Sequence, residues 1–207
     1  MNRPYTLLIL LGVFCVLASC RSKVTQNVKA NYRDSVADLQ QWKLIKFDTE
    51  SFYQPLGWKT GKQAGYNYFA YLNNGDKAKY FSIVKYKMSD KGLTPLVYLH
   101  EMYKTWLNNK TEIFDGYNVK KQVIGKNEIY CSQIFTTIGN RKLLNYSLIF
   151  TDNDYLYNVG VKIERPEYLH YKTSLDNIVF NLKVNDKYIF DPDANIASER
   201  VIDLSKL

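Results

Sequence analysis

The sequence predicts an α+β domain, an antiparallel sheet with helices packed on it. Two segments, TPLVYLHEMYKTWLNNK and PEYLHYKTSLDNIVFNLKV, carry apolar residues at helical spacing, and each has a proline at its start. Between them, four segments alternate apolar and polar residues with period two. Short stretches of Gly, Asn and Asp separate those four, and tight turns make antiparallel neighbours.

Taken in order, the chain opens with MNRPYTLLILLGVFCVLASC. One basic residue, Arg3, precedes an apolar run from Leu7 to Leu17, too short for the roughly 20 residues of a spanning helix. A charged start, an apolar centre and small residues at the end are the parts of a secretory signal. Leu17-Ala18-Ser19-Cys20 resembles the lipobox of bacterial lipoproteins. That resemblance implies cleavage before Cys20, acyl chains on Cys20 and membrane attachment through them, with residues 1–19 as the signal peptide. Stable anchoring takes more than one acyl chain, which a lipobox cysteine supplies. Residue 21 is Arg rather than Asp, which by the same resemblance favours the outer membrane, facing the periplasm.

Residues 20–42 are polar and are expected to form a tether, with a short helix around Ser35 to Trp42. Eighteen or so flexible residues would hold the domain about 20–25 Å from the membrane. The domain proper is expected over residues 43–185. Its first hairpin pairs YNYFAYL with YFSIVKYKM across a turn at Asn73-Asn74-Gly75-Asp76. Thr94 and Pro95 then open a helix of about 14 residues, with Leu96, Leu99, Tyr103 and Leu107 on one stripe. The four strands follow as NVKKQVIG, EIYCSQIFTTI, KLLNYSLIFTD and YLYNVGVKIE. A closing helix begins at Pro166 and carries Tyr168, Tyr171, Leu175 and Ile178 on its apolar stripe. Residues 186–207 are polar and are expected to be an extended tail.

This order, with Phe52, Pro55, Gly57 and Trp58 opening the domain, resembles the Mog1/PsbP-type α/β/α sandwich over roughly residues 45 to 184. The resemblance implies a binding or assembly-support role and supplies no catalytic residues.

Composition narrows the function classes. Removal of Arg3 with the leader leaves 27 basic against 20 acidic residues, a net charge of +7. The basic residues are scattered among apolar ones along strands and form no Arg-rich run, so nucleic acid is not an expected partner. Of the three cysteines, Cys15 leaves with the leader and Cys20 is the acylation site, so Cys131 has no partner for an intrachain disulfide.

Candidate chemistry is sparse. Cys131 lies mid-strand, and the two histidines, His100 and His170, fall on separate helices without metal-ligand spacing. Asp152-Asn153-Asp154 lacks the Gly and distal Glu of a calcium loop, and turn chemistry accounts for it. Asn109-Lys110-Thr111 and Asn145-Tyr146-Ser147 match a glycosylation pattern that has no meaning behind a bacterial leader. Tyrosines are abundant in the first hairpin, where Tyr66, Tyr68, Tyr71, Tyr80 and Tyr86, with Lys85 and Lys87, form a candidate partner-binding surface. Tyrosine combines apolar area with a polar tip and is enriched in binding surfaces. The expectation is a lipid-anchored, non-enzymatic envelope protein that acts as a binding or assembly factor, without cofactor or metal. The alternative is a small-ligand or glycan-binding lipoprotein with a concave pocket, and a Cys-His hydrolase using Cys131 is a third reading.

Overall fold

A computed structural model describes residues 41–72, 76–88, 92–191 and 196–207. The leader, Cys20 and most of the tether lie outside these residues, as does the turn at 73–75.

An eight-stranded sheet organises the molecule. In chain order the strands are β1 (Trp42–Phe47), β2 (Glu50–Pro55), β3 (Lys59–Gly61), β4 (Tyr68–Tyr71) and β5 (Tyr80–Lys87), followed by helix α1 (Pro95–Leu107). Next come β6 (Ile113–Ile124), β7 (Asn127–Ile138), β8 (Arg141–Asp152) and β9 (Tyr155–Glu164), then a 3-10 turn (Arg165–Glu167) leading into helix α2 (Tyr168–Phe180). Short strands β10 (Lys183–Val184) and β11 (Lys187–Tyr188) precede β12 (Ile196–Ile202) and a last 3-10 turn (Leu204–Lys206). The large sheet has the order β12-β6-β7-β8-β9-β5-β4-β3, and a second sheet has the order β1-β2-β10-β11. Neighbouring strands in both sheets pair antiparallel throughout.

Alternation along the central strands fills both faces. Leu144, Tyr146, Leu148 and Phe150 of β8, with Tyr157, Val159, Val161 and Ile163 of β9, form the larger core with Tyr171, Leu175 and Ile178 of α2. Phe52 and Trp58 of the entry segment pack into the same core. On the opposite face Leu99 of α1 joins Val119, Tyr130, Ile149 and Leu156 in a smaller core. The two helices therefore cover opposite faces of one sheet.

The local signals are those the sequence carries. Thr94 caps α1 by accepting a hydrogen bond from the Val97 amide at 3.2 Å, and Pro95 stands at the helix start. Asn153, between β8 and β9, takes a positive φ of 49°, a conformation that Asn tolerates better than most residues.

Two expectations change. Trp42 begins β1 rather than ending a helix; residues 35–40 lie outside the described ones. The segment after Asp186 is not an extended tail. Its strand β12 forms the edge of the large sheet against β6, and Leu204 is fully buried in the smaller core. Charged residues hide this strand in the sequence: Glu199 receives hydrogen bonds from Lys120 Nζ at 2.8 Å and Gln122 Nε2 at 2.9 Å across the pair. Charged side chains are a common feature of edge strands, where they discourage further pairing along the open edge.

Candidate functional site

The tyrosine-rich hairpin does not make one surface. Successive strand residues point to opposite faces, and the large sheet divides the seven candidates accordingly. Tyr68 faces the larger core, edge-on to Phe52 at 5.1 Å, with its hydroxyl bonded to Gln54 Oε1 and Thr60 Oγ1. Burial raises its phenol pKa. Lys85 lies on that same face, where Nζ contacts Glu50 Oε1 at 2.7 Å and Asp48 Oδ2 at 2.9 Å. Desolvation opposes the Lys85 charge, but the two carboxylates outweigh it and its pKa is raised. Lys87 is exposed at the strand end.

Tyr66, Tyr80 and Tyr86 gather on the other face, the one covered by α1. Tyr71 sits beside them, directly across from Tyr80 in the β4–β5 register and edge-on to Phe69 at 5.0 Å. Between these tyrosines and α1 runs a groove of about 360 Å³. One wall is Tyr98, Met102 and Trp106, a stripe of α1 at intervals of four. Tyr66, Tyr80 and Tyr86 form the other wall. Tyr86 lies 5.5 Å from Tyr98 at one end, and Tyr66 lies 6.2 Å from Tyr80.

The floor is made by the sheet itself, and it is polar. Register places Ser82 of β5 across from Gly160 of β9, Gly160 across from Ser147 of β8, and Ser147 across from Ser132 of β7. These four small residues form a row across the middle of a face whose other central positions are larger. Gly160 leaves the room: a Cβ there would stand 2.7 Å from Ser147 Oγ and 3.0 Å from the Tyr146 carbonyl oxygen. Asn145 and Asn158 flank the row. Asn158 donates to the Tyr98 hydroxyl at 2.7 Å, but its Oδ1 has no partner among the described residues, and neither has Asn145 Nδ2. Most buried polar atoms in proteins are bonded, so two orphans in one cavity are notable. Burial, more than any neighbouring group, pushes the Tyr80 and Tyr98 phenols well above their usual range, so both stay protonated donors.

Among the described residues of the lining, Lys162 is the single charged group. Its ammonium is paired with Glu112, each side chain being 9% exposed, and Thr136 Oγ1 donates to the second Glu112 oxygen at 2.8 Å. The Lys162 nitrogen also stands 5.8 Å from the Trp106 ring centre. The groove is therefore aromatic at its sides, polar at its floor and electrically neutral.

The remaining candidate residues are placed elsewhere. Cys131 points to the α2 face, where burial pushes its thiol up to about 12. A thiol held protonated is a poor nucleophile. His100 is on α1, across the sheet from Cys131, and His170 is exposed on α2 against the Tyr171 ring at 4.9 Å. Asn109 Oδ1 accepts from the Thr111 amide and hydroxyl, both at 2.8 Å, a local turn. Among the described residues no group of three His, Cys, Asp or Glu is set to hold a metal, and no helix is long and apolar enough to cross a membrane.

The architecture is that of an α/β/α sandwich of the PsbP kind. The chain is similar to the solution structure of cyanobacterial PsbP (CyanoP) from Synechocystis sp. PCC 6803, with a TM-score of 0.53 and 12% identity over 70% of this chain and 92% of that one. A crystal structure from Bacteroides thetaiotaomicron is more distant, at a TM-score of 0.45 and 12% identity, and the match takes in 48% of that chain. No family model matches the sequence, and no curated protein matches it. At such identities the likeness establishes the fold and nothing about activity.

Proposed function

We propose that this protein is a lipid-anchored, non-enzymatic binding factor of the bacterial envelope, tethered by acyl chains on Cys20 and facing the periplasm, and that it binds in the groove beneath α1. The observation that carries this reading is the groove itself, with its aromatic walls and unpartnered floor amides. Its volume of about 360 Å³ falls in the range of small-molecule sites. A small ligand fits this space better than a protein partner, because the hairpin that would have offered a broad tyrosine and lysine surface is split between two faces of the sheet.

Native mass spectrometry of the protein extracted from membranes of its own bacterium tests the binding. A reproducible mass increment that disappears in an Asn145→Leu variant is expected. An unliganded wild type, together with a protein crosslinked specifically to it in intact cells, would replace the small ligand with a protein partner. Anchoring is tested separately. Feeding an alkynyl fatty acid should label the wild type and not Cys20→Ala, and the variant should leave the membrane fraction. An unlabelled wild type would end the lipoprotein reading.

A further inference from the structure

We infer that the groove ligand is an uncharged saccharide, held with a ring face against the aromatic walls and its hydroxyls on the sheet floor. The inference rests on the binding reading above and names the chemistry of its cargo.

Three properties of the groove select this class. First, the lining is neutral. Among the described residues Lys162 is the only ionic side chain in it, and Glu112 compensates that charge. A free anion would find no uncompensated cation, and a cationic peptide no free carboxylate. Second, the polar groups suit hydroxyls. Asn145 offers an unpartnered amide nitrogen and Asn158 an unpartnered amide oxygen, one donor and one acceptor. A hydroxyl both donates and accepts, so a polyol satisfies both kinds of atom. A hydrocarbon would bury them unmet, at the full cost of desolvation. Third, the walls suit a ring that is polar at its edge and apolar on its face. Trp106 and Tyr98, with Tyr66 and Tyr86 opposite, line the groove with aromatic rings, and an aromatic π face carries a negative quadrupole that attracts polarised C–H bonds.

The floor atoms must be reached. Both orphan amide atoms are closed to solvent as the side chains now stand. Side-chain rotation about Asn145 or Asn158 is the modest change that ligand entry requires, of the kind common at preformed sites.

Saturation-transfer difference NMR on the full-length membrane form, held in lipid discs free of sugar headgroups, tests the inference. The probes are neutral oligosaccharides of hexoses and N-acetylhexosamines, the same sugars carrying a carboxylate or phosphate, and a short uncharged peptide. Transfer to the ring C–H protons of a neutral sugar is expected, with a shift in tryptophan emission from Trp106. Affinity should fall at least tenfold in Trp106→Ala and in Asn145→Leu, and be unchanged in Lys126→Ala, at a distant surface. Tyr86→Ala, at an exposed rim, gives the same loss without touching the core should a deeper variant fail to fold. Preference for the charged sugars or the peptide, binding that survives every groove variant, or no transfer at all would overturn the inference. A non-saccharide mass on the native protein would overturn it too, while leaving the binding reading in place. Only an empty native protein with a crosslinked protein partner would remove both.

Discussion

Lys162 shows how one residue sets the character of the groove. Breaking a buried pair leaves a charge without its partner, and such cuts cost about 3–5 kcal/mol. Glu112→Ala should therefore lower the unfolding free energy by that order, read as a lower urea midpoint, and it should make the groove cationic, so that carboxylated sugars gain over neutral ones. The double variant Glu112→Leu, Lys162→Met should recover most of the stability and abolish the preference for anions. Full stability in Glu112→Ala would mean that the pair is not the neutralising device described. At this scale the site was only partly legible. Tyr66, Tyr80 and Tyr86 stood out in the sequence by type and density. Asn145, Ser147, Asn158 and Lys162 did not, because polar residues alternating with Leu144, Tyr146, Val159 and Val161 have the pattern of a solvated sheet face. A helix placed over that face turns the same pattern into a polar floor, and periodicity within a strand carries no information about what lies above it.

At the scale of elements, the sequence located α1, α2 and the four long strands because each carries a strong period and a turn or proline at its boundary. It missed β1, β2 and the short strands that pair with them, and it mistook β12 for a tail. Short strands and edge strands hold few apolar residues, so their pairing is decided by partners far away in the chain. The misread segment is structurally needed. Leu204→Ala removes a fully buried side chain and should cost about 2–5 kcal/mol, read from chemical denaturation. Deleting residues 192–207 should cost more and leave β6 as an open edge, giving association visible by light scattering. An unchanged midpoint and a monodisperse truncated protein would show β12 to be dispensable.

The whole molecule is marked by buried phenols. Tyr80, Tyr98, Tyr146 and Tyr157 all titrate above their ordinary value of 10.0, with burial as the leading cause in each. Lys85 is shifted in the same direction. A raised pKa means that folded and unfolded chains hold the proton equally below about pH 10, so these groups leave stability unchanged there. Above that pH the unfolded chain loses protons that the folded chain retains, and stability falls. The denaturation midpoint should thus be insensitive to these groups through neutral pH and drop steeply above pH 10. Tyrosinate absorbance for the buried set should rise together with the loss of circular dichroism. A smooth phenolic titration that precedes unfolding would show those rings to be open to water.

Two pairings join distant parts of the chain. Strand β2 near the start of the domain is completed by β10 near its end, with Ser51 opposite Lys183, and β5 waits for β9. Neither sheet is whole until distant parts of the chain have met. Folding rates fall as the contacts that define a fold become more remote in sequence. A domain stitched from its two ends stays open while its chain is still emerging, and closes once the whole chain has arrived.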